Sequence, residues 1–445
     1  MRPLIAVAAV TVSQALQIAI AHRRPIPLAL LTLALVACVL AVLQPEWLGV
    51  GETSRARRWA AVLVGAVVLW QIFQLAASVQ AVYMGPGRRL ALIALVVGAT
   101  SAAVVIGAEL AGSSRLVRWR LPLLVAIHFA CGAWIIHASP RPFIDVYVFH
   151  VEALRTLGQG LDPYGRTIPN IYDHEAFYGP GVVVSGRVQS GFPYPPLSLL
   201  MAGVGHVLGG DFRFTNVAAM GLAALLIGTC RPGGLVIAAL FLFTPRAVLV
   251  LEQGWTEPYV VLLLAATVWC ALRAPALVPV ALGLFFAVKQ YTVLAAPLVV
   301  LLYPGPAPWR DALRALAKAA LVAVVVTLPF VVADSSAFAR DVIALQFHQP
   351  FRADSLSYPA AWLRATGQTP PLWLAFALTP LALALGLWRA PRTPAGFALA
   401  VALAFLVFFA FNKQAFVNYY FFVLGALCCA LAAAGPAPDA RPTPL

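Results

Sequence analysis

Phe143-Ile144-Asp145-Val146-Tyr147-Val148-Phe149-His150 is where a long succession of apolar segments first breaks. Apolar segments precede it at about 3–21, 26–43, 59–79, 90–111 and 119–137. The break, about 138–193, runs on through Gly160-Leu161-Asp162-Pro163-Tyr164-Gly165 and closes with Phe192-Pro193-Tyr194-Pro195-Pro196-Leu197. Apolar segments then resume at about 194–209, 213–229, 233–250, 257–273, 275–288, 291–303, 312–333, 371–388, 395–411 and 415–433. An acid set among aromatics at one water–lipid boundary marks a candidate site of chemistry.

Composition makes lipid the solvent. Of 445 residues, 62% are hydrophobic and 10% charged, against about 25% charged in soluble domains. Unsatisfied backbone groups are costly in hydrocarbon, so the spans must be helices. Strict alternation over strand-length segments is absent, which argues against a barrel. The expected fold is therefore an all-α polytopic membrane protein with about 13–15 hydrophobic segments. The net charge of +14 resides largely in short loops, where it sets topology; no basic soluble domain offers itself to nucleic acid. The six cysteines have neither CxxC nor Cys/His metal spacing and read as small hydrophobes. No HExxH, GxSxG or glycine-rich phosphate loop occurs.

Basic clusters give the orientation. Arg55, Arg57 and Arg58; Arg115, Arg118 and Arg120; Arg310, Arg314 and Lys318; and Arg389 with Arg392 all fit the cytoplasmic side. Both termini then lie inside and the 138–193 loop outside, as does a second loop at about 334–370. Arg23, Arg24, Arg88 and Arg89 fall outside, against the rule. An odd number of crossings must separate the first outer loop from the Arg310 cluster, yet six apolar segments lie between them. One of these, among the short segments between 194 and 250, does not cross. The first segment is expected to be an uncleaved helix rather than a signal peptide cut after Ala19-Ile20-Ala21. The tail 435–445 is expected to be disordered.

Asp145 leads the candidate residues. Ile144, Val148, Val151 and Leu154 recur at helical spacing, which predicts an amphipathic interfacial helix over 144–158. Asp145 is either its cap or a general base, a role worth about 10²–10⁴-fold in rate. Lys289 and Lys413 end apolar runs in similar settings, Lys289-Gln290 and Lys413-Gln414. A cation near the bilayer centre costs about 2.5–3.5 kcal/mol, so such residues are either snorkelling or functional. His348 and Arg352 flank Pro350 in the second loop. With the lysines they form a set of cations on the side of Asp145, suited to a lipid phosphate. Glu252, Gln253 and Trp255 occupy a polar turn suited to a sugar, with Trp255 stacking on its apolar face; Arg246 is a candidate partner for Glu252. Tyr164 and Tyr194 belong to an aromatic group, with Tyr147, Phe149, Tyr172, Phe177, Tyr178 and Phe192, that serves either as an interfacial belt or as sugar contacts. Ser335 or Ser336 is expected to cap a short helix in the second loop.

The order of these features resembles a known family. An Asp in an outer amphipathic helix, Asp162-Pro163-Tyr164, Tyr194-Pro195-Pro196-Leu197, Glu252-Gln253-Gly254, the Lys289 segment, and Lys413-Gln414 with Tyr419-Tyr420 together resemble the GT-C superfamily of polytopic glycosyltransferases, across about 119–433. Within it the chain looks like glycosyltransferase family 87, the actinobacterial polyprenyl-phosphate-mannose-dependent mannosyltransferases. The resemblance implies an inverting transfer of a sugar, mannose by analogy, from a polyprenyl-phosphate donor to a lipid-linked or cell-envelope acceptor such as a glycolipid or polysaccharide. It implies that Asp145 is the base and that the site faces outward from a plasma membrane. No cofactor is expected, because the lipid-phosphate sugar is a substrate; a divalent metal stays open. The chain departs from the family in having four extra spans before the acidic loop. Residues 1–111 are therefore expected to be an accessory segment and 112–434 the catalytic domain. A transporter or flippase of a lipid-linked sugar is the alternative; it predicts mid-span polar residues and inverted repeats.

Overall fold

A computed structural model describes residues 2–18, 25–43, 54–77, 81–85, 87–172, 175–371 and 373–434. Arg23 and Arg24, the 19–21 cleavage motif and the 435–445 tail lie outside the described residues. Among the described residues the regular structure is helical apart from three short strands, β1 (Ile168–Pro169), β2 (Val183–Val184) and β3 (Arg187–Val188), ordered β1-β3-β2 and antiparallel.

The apolar runs become helices α1 (Arg2–Ile18), α2 (Ile26–Leu43), α3 (Ser54–Ala77), α4 (Arg88–Leu110) and α5 (Val117–Ala138). Then comes α6 (Asp145–Gly158), followed by α7 (Pro196–Gly209), α8 (Arg213–Cys230), α9 (Gly234–Leu242), α10 (Ala247–Glu252), α11 (Glu257–Arg273) and α12 (Val278–Val288). A 3₁₀ run spans Gln290–Leu302 and leads to α13 (Pro308–Ala333). The second loop holds α14 (Ser335–Phe338), a π turn (Ala339–Ala344), α15 (Leu345–His348) and α16 (Tyr358–Thr366). The chain finishes with α17 (Leu374–Arg389), α18 (Pro394–Ala410) and α19 (Val417–Ala433). Five helices, α2, α4, α5, α8 and α13, are each long and apolar enough to cross a membrane. With the shorter apolar helices beside them, they make this a multi-pass membrane protein.

One continuous apolar core runs through the bundle, and it includes the first helices. α1 packs on α19, α2 on α18, α3 on α9, and α4 on α5. A second, smaller core sits under the two long loops, built from Phe149, Tyr164, Tyr178, Phe192 and Phe212 with aliphatic neighbours. All six cysteines are free and buried.

The geometry identifies the segment that does not cross. The chain entering α7 is held by Gln290, whose amide donates to the Pro193 carbonyl (2.6 Å). The chain leaving α7 runs at once into Arg213, which donates to the carbonyls of Glu252 (2.9 Å) and Ile136 (3.4 Å). Gln290, Glu252 and Ile136 all sit at helix ends on the loop-bearing end of the bundle. Both ends of α7 therefore lie at that end. α8, α9 with α10, α11, α12 and the 3₁₀ run then alternate direction, which gives the odd number of passes required. At about 2.0 Å per residue a 3₁₀ run extends further than an α-helix of equal length, so thirteen residues span about 26 Å.

The interval between α9 and α10 is a break caused by Pro245, which has no N–H to give. Arg246 beside it is fully buried, and its guanidinium nitrogens make no hydrogen bond among the described residues. The expected Arg246–Glu252 pair does not form, because Glu252 turns toward the 81–85 segment instead.

Candidate active site

α6 begins where expected, but its buried face is rotated from the predicted stripe. Val146, Phe149, His150, Ala153 and Leu154 are buried, whereas Ile144, Val148 and Val151 are only half-buried. Aromatic packing sets the rotation: Phe149 lies against Tyr178 (6.1 Å between ring centres), and His150 stacks on Phe212 (4.6 Å, 10°). Asp145 occupies the first turn and Arg155 the last, the arrangement that suits the helix dipole.

Asp145 is half-buried and is not the cap residue; Ile144 holds that place with no side-chain bond. One carboxylate oxygen accepts from the Val146 N–H (2.8 Å). The Tyr172 hydroxyl accepts from the Asp145 backbone N–H (3.2 Å), and the hydroxyls of Tyr172 and Tyr178 both act on the carboxyl. Burial pushes the Asp145 carboxyl above the usual carboxylate range, while the Val146 N–H, the two hydroxyls and the Arg352 charge oppose that shift. The Tyr178 hydroxyl is pushed well up by burial and then by the neighbouring Asp145 charge.

Arg352 is the second-loop cation whose charge acts on Asp145, while its ion pair is with Asp354. Its guanidinium lies over Phe177 (4.3 Å) and Phe416 (5.2 Å) and pairs with Asp354 (2.8 Å). Its backbone N–H donates to the Lys413 carbonyl (3.0 Å), which fastens this loop to the α18–α19 connection. The Lys413 ammonium donates to the carbonyls of Gln349 (2.5 Å) and Phe347 (3.0 Å). No acid pairs with it among the described residues. His348 stands exposed at the rim, its Nδ1 2.8 Å from the Ala344 carbonyl.

Lys289 enters from the other side. The C-terminus of α12 delivers it, almost fully buried, to Glu257 at the start of α11 (3.1 Å) and to the Thr256 hydroxyl (2.5 Å). Its ammonium lies 4.1 Å from the centre of the Tyr194 ring. The charges of Asp145 and Glu257 both act on Tyr194 and on Tyr419. Tyr194 thus lies between the two acids and links the Asp145 half of the site to the Lys289 half.

The polar turn behaves differently from expectation. Glu252 is fully buried, and its oxygens accept from Val82 N (2.6 Å), Tyr83 N (2.8 Å) and the Ser139 hydroxyl (2.6 Å). Its carboxylate joins three chain segments and is occupied by doing so, which removes it as a sugar contact. Gln253 is buried, and Trp255 half-buried against the main core. Tyr164 is likewise buried, its hydroxyl given to the Tyr194 carbonyl (2.8 Å) and its ring enclosed by Phe192, Phe330 and Phe338. It supports the Tyr194 backbone from beneath and offers no free face to a sugar. Of the predicted sugar contacts, Tyr194 is the one beside Asp145 and Lys289. In the second loop, Asp334 rather than Ser335 or Ser336 caps α14, accepting from Ala337 N (2.9 Å).

Four contributors escaped the sequence reading: Tyr172 and Tyr178 on Asp145, Glu257 on Lys289, and His150 next to Tyr194. In the sequence the tyrosines stand only as members of an aromatic group, and Glu257 as one more acid just past the Glu252–Trp255 turn. Pairwise proximity between residues 27 to 44 positions apart leaves no local periodic trace.

No protein-family model matches the chain, and no curated protein matches it. Among solved structures, the crystal structure of ArnT from Cupriavidus metallidurans bound to undecaprenyl phosphate is similar, at 16% sequence identity and a TM-score of 0.45. The match covers 71% of this chain and 59% of that one.

Proposed function

We propose that this chain is an inverting glycosyltransferase of the GT-C type that moves a sugar from a polyprenyl-phosphate donor to an acceptor hydroxyl. The observation that carries this reading is the meeting of Asp145 with Arg352 and the Tyr194–Lys289 pair at the loop-bearing end of the bundle. The acid comes from α6, and the cations come from segments more than a hundred residues later.

The chemistry needs such a pair of halves. The acceptor oxygen attacks the anomeric carbon as the bond from that carbon to the phosphate oxygen breaks. Asp145 takes the acceptor's proton, and the electron pair leaves with the polyprenyl phosphate. Negative charge grows on the departing phosphate, where Arg352, Lys413 and Lys289, with His348 at the rim, supply fixed positive charge. A carboxyl raised by burial holds a proton more readily than a free one, which suits a base that must take the acceptor's proton during transfer. Mannose as the sugar, a glycolipid or polysaccharide as the acceptor and an extracytoplasmic site follow from the family resemblance and complete the proposal.

The test is transfer by purified protein in membrane vesicles, with labelled polyprenyl-phosphate mannose and a glycolipid fraction. Asp145→Asn should abolish transfer while the donor still binds. Undiminished transfer by that variant would remove Asp145 as the base. Mass spectrometry of glycolipids and glycoproteins from cells lacking the chain identifies the acceptor.

A further inference from the structure

His150 lies five residues beyond Asp145 on α6 and is fully buried. Its Nδ1 is 2.7 Å from the Val146 carbonyl. A carbonyl only accepts, so Nδ1 carries the proton whenever the ring is neutral. Burial, with the Lys289 charge acting in the same direction, pushes His150 down to about 4, which keeps the ring neutral at pH 7. Nε2 is therefore an unprotonated acceptor, and it makes no hydrogen bond among the described residues. Phe212 covers one face of the ring, and the rings of Phe192 (5.1 Å) and Tyr194 (5.9 Å) flank it. The orientation of the imidazole is thereby fixed.

A second acceptor stands in the same setting. Glu257 Oε1 takes Lys289 (3.1 Å) and the Tyr291 hydroxyl (3.3 Å), whereas Oε2 is buried and without a hydrogen bond among the described residues. Lys289 connects the two groups: it pairs with Glu257, its charge acts on His150, and it rests on Tyr194. Buried acceptors without donors are rare in folded proteins, and a pair beside one ammonium calls for a ligand that brings donors. A phosphate at neutral pH brings mainly acceptor oxygens and would meet bare lone pairs and a carboxylate. A sugar brings several O–H donors.

We propose that His150 Nε2 and Glu257 Oε2 each accept a hydroxyl of the transferred sugar, and that Lys289 and Tyr194 line the same subsite. This deepens the glycosyltransferase reading and rests on it. It moves Lys289 from the phosphate to the sugar, and leaves the phosphate to Arg352 and Lys413 with His348 at the rim. Neither acceptor takes part in proton transfer; both fix which sugar is held and how it is turned.

The test uses full-length protein in vesicles and a series of polyprenyl-phosphate sugars, each lacking one hydroxyl, with bare polyprenyl phosphate as the reference ligand. Wild type should lose kcat/KM by on the order of 10²-fold or more for two of the deoxy donors, because sites built to bind a hydroxyl reject analogues that lack it. His150→Phe, which keeps the stack on Phe212, should be weaker on the complete donor yet lose nothing more on one of those two deoxy donors. Glu257→Gln should show the same indifference to the other. Affinity for bare polyprenyl phosphate should be unchanged in both. If wild type transfers sugar but tolerates every deoxy donor, or if the variants lose equally on all donors, the subsite assignment is overturned while the transferase survives. If wild type transfers no sugar from any polyprenyl-phosphate donor, the transferase reading itself fails.

Discussion

Asp145 and Asp341 are both acids at the loop-bearing end, and the protein treats them in opposite ways. Asp341, in the π turn of the second loop, is fully buried. It accepts from Gly165 N (2.9 Å), Gly191 N (2.8 Å), the Ser190 hydroxyl (3.0 Å) and Arg340 Nε (2.9 Å). Gly191 is required there: a Cβ would lie 2.6 Å from the Pro163 carbonyl and 2.8 Å from the Asp341 carboxylate. Asp145 is half-buried, takes one backbone N–H, and is otherwise held by tyrosine hydroxyls, which can rotate away. A carboxylate whose lone pairs are filled by backbone donors ties two loops together. One held by hydroxyls stays available for a proton.

The largest expected effect tests the available acid. Asp145→Asn should lower transfer by at least about 10²–10⁴-fold with no loss of thermal stability, measured by vesicle transfer and by unfolding in detergent. Burial now opposes ionisation of Asp145, so removing the charge should stabilise slightly, if anything.

Next comes the charge pair behind the site. Lys289→Met leaves Glu257 charged and buried and should cost about 3–5 kcal/mol of stability. Lys289→Met combined with Glu257→Gln should recover much of that loss while transfer stays impaired. If the double variant is no more stable than Lys289→Met alone, the two residues do not act as a pair.

The filled acid should respond through stability alone. Asp341→Asn keeps the shape but weakens the acceptors facing Gly165, Gly191 and Ser190, at about 1–3 kcal/mol. Activity at low temperature should fall far less than for Asp145→Asn. A purely catalytic defect with unchanged melting would reverse the roles assigned to the two acids.

The smallest effect concerns pH. Activity that needs ionised Asp145 falls as pH drops through its pKa, which burial holds above the usual carboxylate range. The Tyr178 hydroxyl favours the charged form. Tyr178→Phe should therefore move the acid limb of the rate profile to higher pH. A shift to lower pH would contradict the contact.

Much of the bundle was legible because burial in lipid imposes a run length on each span, and the helices follow those runs closely. α6 was legible as an element, but its face was not: aliphatic spacing favoured Ile144 and Val151, while Phe149 and His150 won the interior through ring packing. Parity required one segment not to cross, and α7 takes that part only because its two ends are anchored by Gln290 and Arg213. Glu252 was visible as a polar turn residue, yet its partners, Val82, Tyr83 and Ser139, lie more than a hundred residues earlier.

By itself the sequence determined a helical protein in lipid, the place of its polar interruption, and Asp145 as the acid to watch. Hydropathy and charge are local properties, and the membrane reads them segment by segment. Only the tertiary structure decided which acids are filled and which are open, because a lone pair is satisfied by whichever donor the fold carries to it. The same packing joined Lys289 to Glu257, left His150 Nε2 bare beside them, and turned Glu252 from a candidate contact into a staple.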